Sequence, residues 1–243
     1  MAEVIETDTD LTARLLRIVN SAMYRLAAPI ETISRAITLI GMLDLRDLAM
    51  LTVARRLFTG IPADLMDLRL FWRDALGTGV HASLLGRMNN MLHAERVFVM
   101  GVLHNIGLLA LCQVTPEQER EALFIADGDP ETLADAEREL LGYSHQEVGA
   151  ALIARWRLPV SIGEVAAYHH QPTRAVAFPL EVAIVHAAGL ISAGDALGWG
   201  RDDLLRRVHP AAAALTGLNA SRLAEVQERG RRQIEELAAQ FAD

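Results

Sequence analysis

Residues 97–114 read VFVMGVLHNIGLLALCQV, an apolar run whose polar side chains are His104, Asn105 and, near its end, Gln113. A run of this kind can become very few things. Its length approaches the roughly 20 apolar residues of a membrane helix, but an adjacent His-Asn pair at its middle is costly in lipid, and Glu95 and Arg96 flank it closely. The sequence therefore predicts a fully buried helix of a soluble domain. A buried polar side chain must be hydrogen-bonded or bind something. His104 and Asn105 are thus either a satisfied core histidine beside an amide or the organisers of a binding cleft.

Helix signals surround this run on both sides. Thr7-Asp-Thr-Asp10 is a cap-like start, followed at helical spacing by Leu11, Leu15, Ile18 or Val19, and Ala22. After Ala28-Pro29, Thr32 caps a second helix that stops at Gly41, and a third follows from about Asp44. Gly60-Ile-Pro62 marks the clearest internal boundary, which closes an N-terminal helical lobe, 1–60, with no acid-base or nucleophile constellation. From Leu65 to Leu92 a stripe of Phe71, Trp72, Leu76, Val80, Leu84, Met88 and Met91 reads as core, with His81 beside it.

Beyond the central run, Thr115-Pro116-Glu-Gln118 predicts a capped helix to about Ala126, and Thr132 begins another that ends near Gly142. Ser144-His-Gln-Glu147 is a capping box that puts His145 in a first helical turn, where the helix dipole favours neutral imidazole. Pro159 and a second box, Ser161-Ile-Gly-Glu164, start a helix that ends in His169-His170 before Pro172. Neighbouring helical residues point about 100° apart, so at most one of that pair is expected to face a given site. Leu180–Ala193 forms a further helix containing His186, which completes a second lobe, 61–197. The C-terminal extension, 198–243, holds a Gly-rich turn, a short helix and a last helix from Ser221 with Leu223, Val226, Gly230, Ile234, Leu237 and Phe241 in one seam. That seam docks on the body or pairs with a partner helix. No strand alternation and no repeat is found, so the fold class is all-α.

Composition narrows the function classes. A chain of 243 residues that is 51% hydrophobic and 22% charged can bury a proper core, which excludes a disordered chain. Net charge of −8 argues against a surface built for phosphate backbone, so nucleic acid is not an expected partner. The acidic first residues lack a basic start followed by an apolar block, and a cytoplasmic location without membrane attachment is expected. Cys112 sits inside the apolar run and reads as a small hydrophobe. There is no phosphate-cradling Gly-rich loop, no nucleophile elbow and no Cys-based zinc framework.

Two stretches resemble a known family. LTARLLRIVNSAMYRLAAPIETISRAITLIGMLDLRDLAML is similar to the N-terminal half of the HDOD domain, through Asn20-Ser-Ala22, Tyr24, Ile33 to Ile37 and Leu39 to Gly41. GVLHNIGLLAL, SHQEVGAALIARWRLPVSIGEVAAYHHQP and LEVAIVHAAGLISA resemble that domain's second half, itself similar to HD-superfamily phosphohydrolases. The resemblance covers roughly residues 1–197. It implies a non-catalytic signal-transduction module of bacteria, working through other signalling proteins or domains, and a chain trimmed or fused at its upstream end.

HD hydrolases hold one or two divalent metals with histidines, a His-Asp pair and a late Asp; the metal binds phosphate and activates water. Carried over, the resemblance places the first histidine at His81 and the His-Asp pair at His104-Asn105. The further histidines of HD-GYP phosphodiesterases fall at His145 and at His169 or His170, and the late Asp at Gly189. Two carboxylates are thereby lost. Adjacent dications need bridging anions, so a binuclear hydrolase site is not expected. His81, His104, His145, His169 and His170 remain as candidate ligands of one divalent ion, or as hydrogen-bonded remnants. The leading expectation is no catalytic residue and no cofactor, with a cleft organised by His104 and Asn105 that binds protein or a small ligand, such as a nucleotide. The alternative is a metal-dependent phosphohydrolase with an altered mononuclear site, and a third is a partner-binding domain using the last helix.

Overall fold

The computed structural model describes residues 2–241 apart from Ala22, Met23, Arg25 and Ala27; for Glu3, Val4, Arg55, Pro130, Glu131, Ala239, Gln240 and Phe241 it describes the backbone only. Ala22 of the first predicted stripe and the Phe241 side chain of the last seam therefore lie outside the described residues. The chain is helical throughout, with no strand among the described residues.

Helices α1 (Ala2–Glu6), α2 (Thr9–Val19), α3 (Ile33–Ile40) and α4 (Met42–Leu57) build the N-terminal part. Asp8 caps α2 by accepting from Leu11 N–H, and Thr32 caps α3 by accepting from Arg35 N–H. The Asn20 side chain clasps the loop between α2 and α3: its amide donates to Ile30 O at 2.8 Å and its carbonyl accepts from Ile30 N–H at 2.7 Å. That clasp gives the Asn-Ser-Ala motif a structural role. Leu15, Ile18, Val19, Ile33, Leu45, Leu48 and Leu51 are buried and join a single apolar cluster that runs from Ile5 to Leu237. Each such side chain contributes roughly 1.5–3 kcal/mol.

Helices α5 (Leu68–Met88), α6 (Ala94–Leu103) and α7 (Ile106–Val114) follow. The expected single helix over 97–114 is in fact two, broken at His104-Asn105. The cause is local: His104 Nδ1–H donates to Gly101 O at 2.6 Å, so that carbonyl already holds a donor where the helical ladder would continue, and Asn105 turns away at ψ 17°. Phe98, Leu103, Ile106 and Leu109 are fully buried around the break. The stretch Ala94–Val114 and the later Pro179–Leu197 have the length and apolarity to cross a membrane, but 78% and 50% of their most apolar windows are buried inside the protein. They are core.

The remaining helices are α8 (Pro116–Ala126), α9 (Pro130–Leu141), α10 (His145–Arg155), α11 (Val160–Tyr168), α12 (Pro179–Leu197), α13 (Arg201–Arg207), α14 (Pro210–Thr216) and α15 (Ala220–Phe241), with a 3-10 turn at Pro172–Arg174. Three sequence expectations change here. Thr115 does not cap α8; its hydroxyl turns back to Leu111 O. Helix α9 begins at Pro130 rather than at Thr132, capped by Asp129, which accepts from Thr132 N–H at 2.7 Å. Glu164 forms no capping box with Ser161; its carboxylate reaches across to Val176 N–H and Ala177 N–H, pinning the segment before α12. The box at Ser144 and Glu147 is present as expected.

Two close approaches position the site. Gly107 on α7 meets the backbone of α10 directly, since a Cβ there would collide with His145 O and lie 2.5 Å from Gly149 N. On the other side, α15 packs along α5 with Leu223, Val226 and Leu237 buried, so its apolar seam docks on the body.

Candidate functional site

Helix ends deliver the histidines to one place. His104 closes α6, His145 opens α10, and His169 caps the C-terminus of α11 with His170 next to it. One ring nitrogen from each of His145, His169 and His170 lies within 4.8 Å of the others. His104 stands edge-on to His169 with ring centroids 4.9 Å apart. The expectation that His169 and His170 diverge is wrong: α11 ends at Tyr168, and both side chains line the same cleft with centroids 4.0 Å apart.

Hydrogen bonds fix which nitrogen each ring presents. His104 Nδ1–H donates to Gly101 O, His169 Nδ1–H to Ala166 O and Val165 O at 3.0 and 3.2 Å, and His145 Nδ1–H to the Glu137 carboxylate at 2.7 Å. Each bond fixes Nδ1 as the donor and leaves Nε2 turned away from it, the orientation typical of metal-ligating histidine. Burial favours neutral imidazole. It pushes His104 down to about 4, and it sets His169 and His170 well below the usual histidine range, with neighbouring imidazoles adding to the effect.

Glu137 is fully buried and also accepts from the His145 backbone N–H at 2.7 Å. Behind it lies a second fully buried carboxyl, Glu119, raised to about 8 by burial and then by the charge of Glu137. The pair in turn raises the Cys112 thiol, which burial already pushes up. Neither glutamate was anticipated from the sequence. A signal existed, because each occupies a core-facing position of its helix, Glu137 beside Leu133 and Ala134, and Glu119 one turn before Ala122.

His81 lies apart from this group. It is fully buried on α5 under α15, where a Cβ on Gly230 would come within 2.5 Å of its Nε2. Neither ring nitrogen has a hydrogen-bond partner, Asp195 is 3.7 Å away, and burial lowers its pKa to about 4. The C-terminal extension, whose part here was invisible in the sequence, covers that histidine.

The cleft itself has a volume of about 390 Å³. Its lining includes His104, Asn105, His169 and His170, the α12 residues His186 and Gly189, and Asp74, Trp199 and Arg207. A Cβ on Gly189 would stand 3.8 Å from His104 Nε2 and 4.0 Å from Thr78 Cγ2. Around that spot several buried polar atoms have no protein partner: Asn105 Oδ1, Thr78 Oγ1 and His169 Nε2. His186 is a structural histidine, donating from Nδ1 to His169 O at 2.8 Å and accepting His209 N–H on Nε2 at 3.0 Å. A second hollow, of about 450 Å³ between α10 and α11, is mostly apolar and lacks the histidines.

The donor set fits one zinc-type ion, held by His145, His169 and His170 with His104 at the edge. It does not fit two. Among the described residues the group of His145, His169 and His170 contains no carboxylate, Asn105 is neutral and Gly189 offers nothing.

Comparison with known proteins agrees with this architecture. The family model for the HDOD domain matches residues 1–172. The chain belongs to the HDOD family. An uncharacterized protein of Treponema pallidum (strain Nichols) is 28% identical over 171 residues, covering 69% of this chain; the chain spans about a third, 32%, of that relative's length. Among solved structures, an HDOD domain protein of unknown function from Geobacter sulfurreducens is 25% identical, with TM-score 0.71 over 98% of this chain and 83% of that one. A Shewanella amazonensis SB2B protein provisionally named a phosphohydrolase has TM-score 0.77 and 25% identity, over 98% and 85% of the two chains. The HDOD match stops at residue 172, so His186, Gly189, Trp199 and Arg207 of the cleft come from the part that follows it.

Proposed function

We propose that this HDOD chain is a non-catalytic bacterial signal-transduction module whose histidine cleft is a receptor for a small ligand or a single metal ion, read out by other signalling proteins. One observation carries the reading: the cleft gathers oriented imidazoles and orphaned polar atoms, and its three-histidine group contains no carboxylate, Asp74 and Asp129 lining the cleft outside that group. Orphaned buried atoms call for an occupant. The missing anions remove what a two-metal hydrolase uses to hold its ions together. The similarity to a protein named for signal transduction, from Marinobacter aquaeolei VT8 at 19% identity, extends to the fold alone.

The test is metal content per chain for tag-free protein and for His169→Ala, followed by phosphodiester hydrolysis with the metal restored. A wild type that takes up one equivalent of transition metal, loses it in the variant and leaves a nitrophenyl phosphodiester intact supports the reading. Turnover that requires His169 would replace it with a mononuclear phosphohydrolase. That second reading is favoured by the Glu137–His145 bond, which orients a ligand as metalloenzymes do. When bound, the ion would supply Lewis acidity; His145, His169 and His170 would hold it, and Glu137 would keep His145 in the required tautomer.

A further inference from the structure

The floor of the cleft is rich in lone pairs, while its half-exposed rim presents the Arg207 guanidinium. Among the described lining residues Arg207 is the one arginine. It ends α13, and its guanidinium carbon lies over the Trp199 ring, 4.0 Å from the centroid, with Trp199 also in the lining. Its Nε donates weakly to Asp203 at 3.4 Å, and the Arg207 side chain stays half exposed. The planar fork is therefore oriented by stacking and keeps donors to offer.

Carboxylates stand nearby: Asp203 pairs with Arg207 at 3.4 Å, and Asp129 and Asp74 line the cleft. Asp129 is committed to the N-terminus of α9 through Thr132 N–H. Asp74 is raised by burial, and the Ser192 hydroxyl donates to its backbone carbonyl at 3.1 Å.

We propose that the C-terminal extension makes the cleft selective for an anionic ligand: Arg207, backed by Trp199, takes the oxyanion of a small phosphorylated or carboxylated molecule at the mouth. The proposal rests on the reading that the histidine cleft is a binding site. Phosphate and carboxylate share the recognition chemistry, a charge-assisted pair of N–H donors in one plane. The cleft volume of about 390 Å³ lies within the range of small-molecule sites.

The experiment is calorimetric titration of the full chain with inorganic phosphate and, separately, with acetate, at constant ionic strength. It compares wild type, Arg207→Gln, Trp199→Phe, Trp199→Ala and Arg206→Gln. Saturable binding of either anion, weakened about tenfold or more by R207Q and W199A, nearly restored in W199F and unchanged in R206Q, supports the assignment and names the oxyanion. Equal affinity in R207Q, or no saturable binding of either anion by wild type, overturns it. A parallel zinc titration of H169A separates the two claims. Loss of zinc with R207-independent anion binding leaves the metal reading and removes this one; R207-dependent anion binding without any zinc site does the reverse.

Discussion

Glu137 grips His145 at two points, accepting from the ring Nδ1–H and from the backbone N–H, each at 2.7 Å. One carboxylate thus sets both the tautomer of the ring and the first turn of α10. Glu137→Gln keeps the shape and loses the charge. The expected result is zinc affinity lower by 10–100-fold, with stability down by about 1–3 kcal/mol. Competition titration and chemical denaturation check both; an unchanged affinity with lowered stability would make Glu137 structural only.

Reinstating the two carboxylates should change the metal count. A Cβ at Gly189 meets nothing closer than 3.8 Å, so an aspartate fits at its base, and Asn105→Asp is isosteric. The double variant Asn105→Asp/Gly189→Asp is expected to raise bound divalent metal above one equivalent per chain. Mass spectrometry of metal-loaded, desalted protein reads this directly, and a count that stays at or below one would show that these positions do not complete a second site.

Stability should pass through a maximum near neutral pH. His81 and His104 titrate near 4 in the folded chain against 6.5 when unfolded, so the unfolded state binds more protons between those values. Stability therefore falls as pH drops from about 6.5 toward 4, by up to roughly 3 kcal/mol for each. Glu119 acts in the opposite sense: raised from 4.5 to about 8, it holds a proton in the folded state and loses its contribution as pH rises through 8. Urea denaturation from pH 5 to 8.5 should show both flanks, and Glu119→Gln should flatten the alkaline one. An alkaline flank identical in E119Q would rule out Glu119 as its cause.

Gly230 gives the C-terminal helix its access to His81. In Gly230→Ala the new methyl meets the ring, and α15 must lift or the imidazole must move, at a cost of about 1–3 kcal/mol. Faster hydrogen exchange across 220–238 is the expected signature, with zinc binding at His145 and His169 unaltered. Unchanged exchange would mean that the contact relaxes without loosening the helix.

The all-helical fold was legible because capping residues and apolar stripes at 3.6 spacing are local properties. Asp8, Thr32 and the Ser144–Glu147 box cap helices as their chemistry suggests, and the Leu11–Leu15–Ile18 stripe is buried. What failed needed tertiary knowledge. Glu164 bonds Val176 and Ala177 rather than a helix start, because a segment 12 residues away comes within reach. The break at His104 depends on a ring orientation that hydropathy does not record. Histidines of the cleft were readable as residues, yet their grouping was not: His169 and His170 converge because α11 stops one residue before them. His81 separates because α15, from the far end of the chain, lies over it. Arg207 and Trp199 carry no motif at all, and a cluster of Arg and Asp at helical spacing reads as solvated surface.

The contact of Gly107 with His145 O and Gly149 leaves no side chain between α7 and α10. The spacing of α7, which begins two residues after His104, from the end of α10 that bears His145 is consequently set by two main chains in touch, and rotamer changes there cannot widen or narrow it. Substitutions around the cleft can alter what the histidines meet, but the spacing of those helix ends is a fixed gauge. This joint lets the occupant change while the bite stays one size.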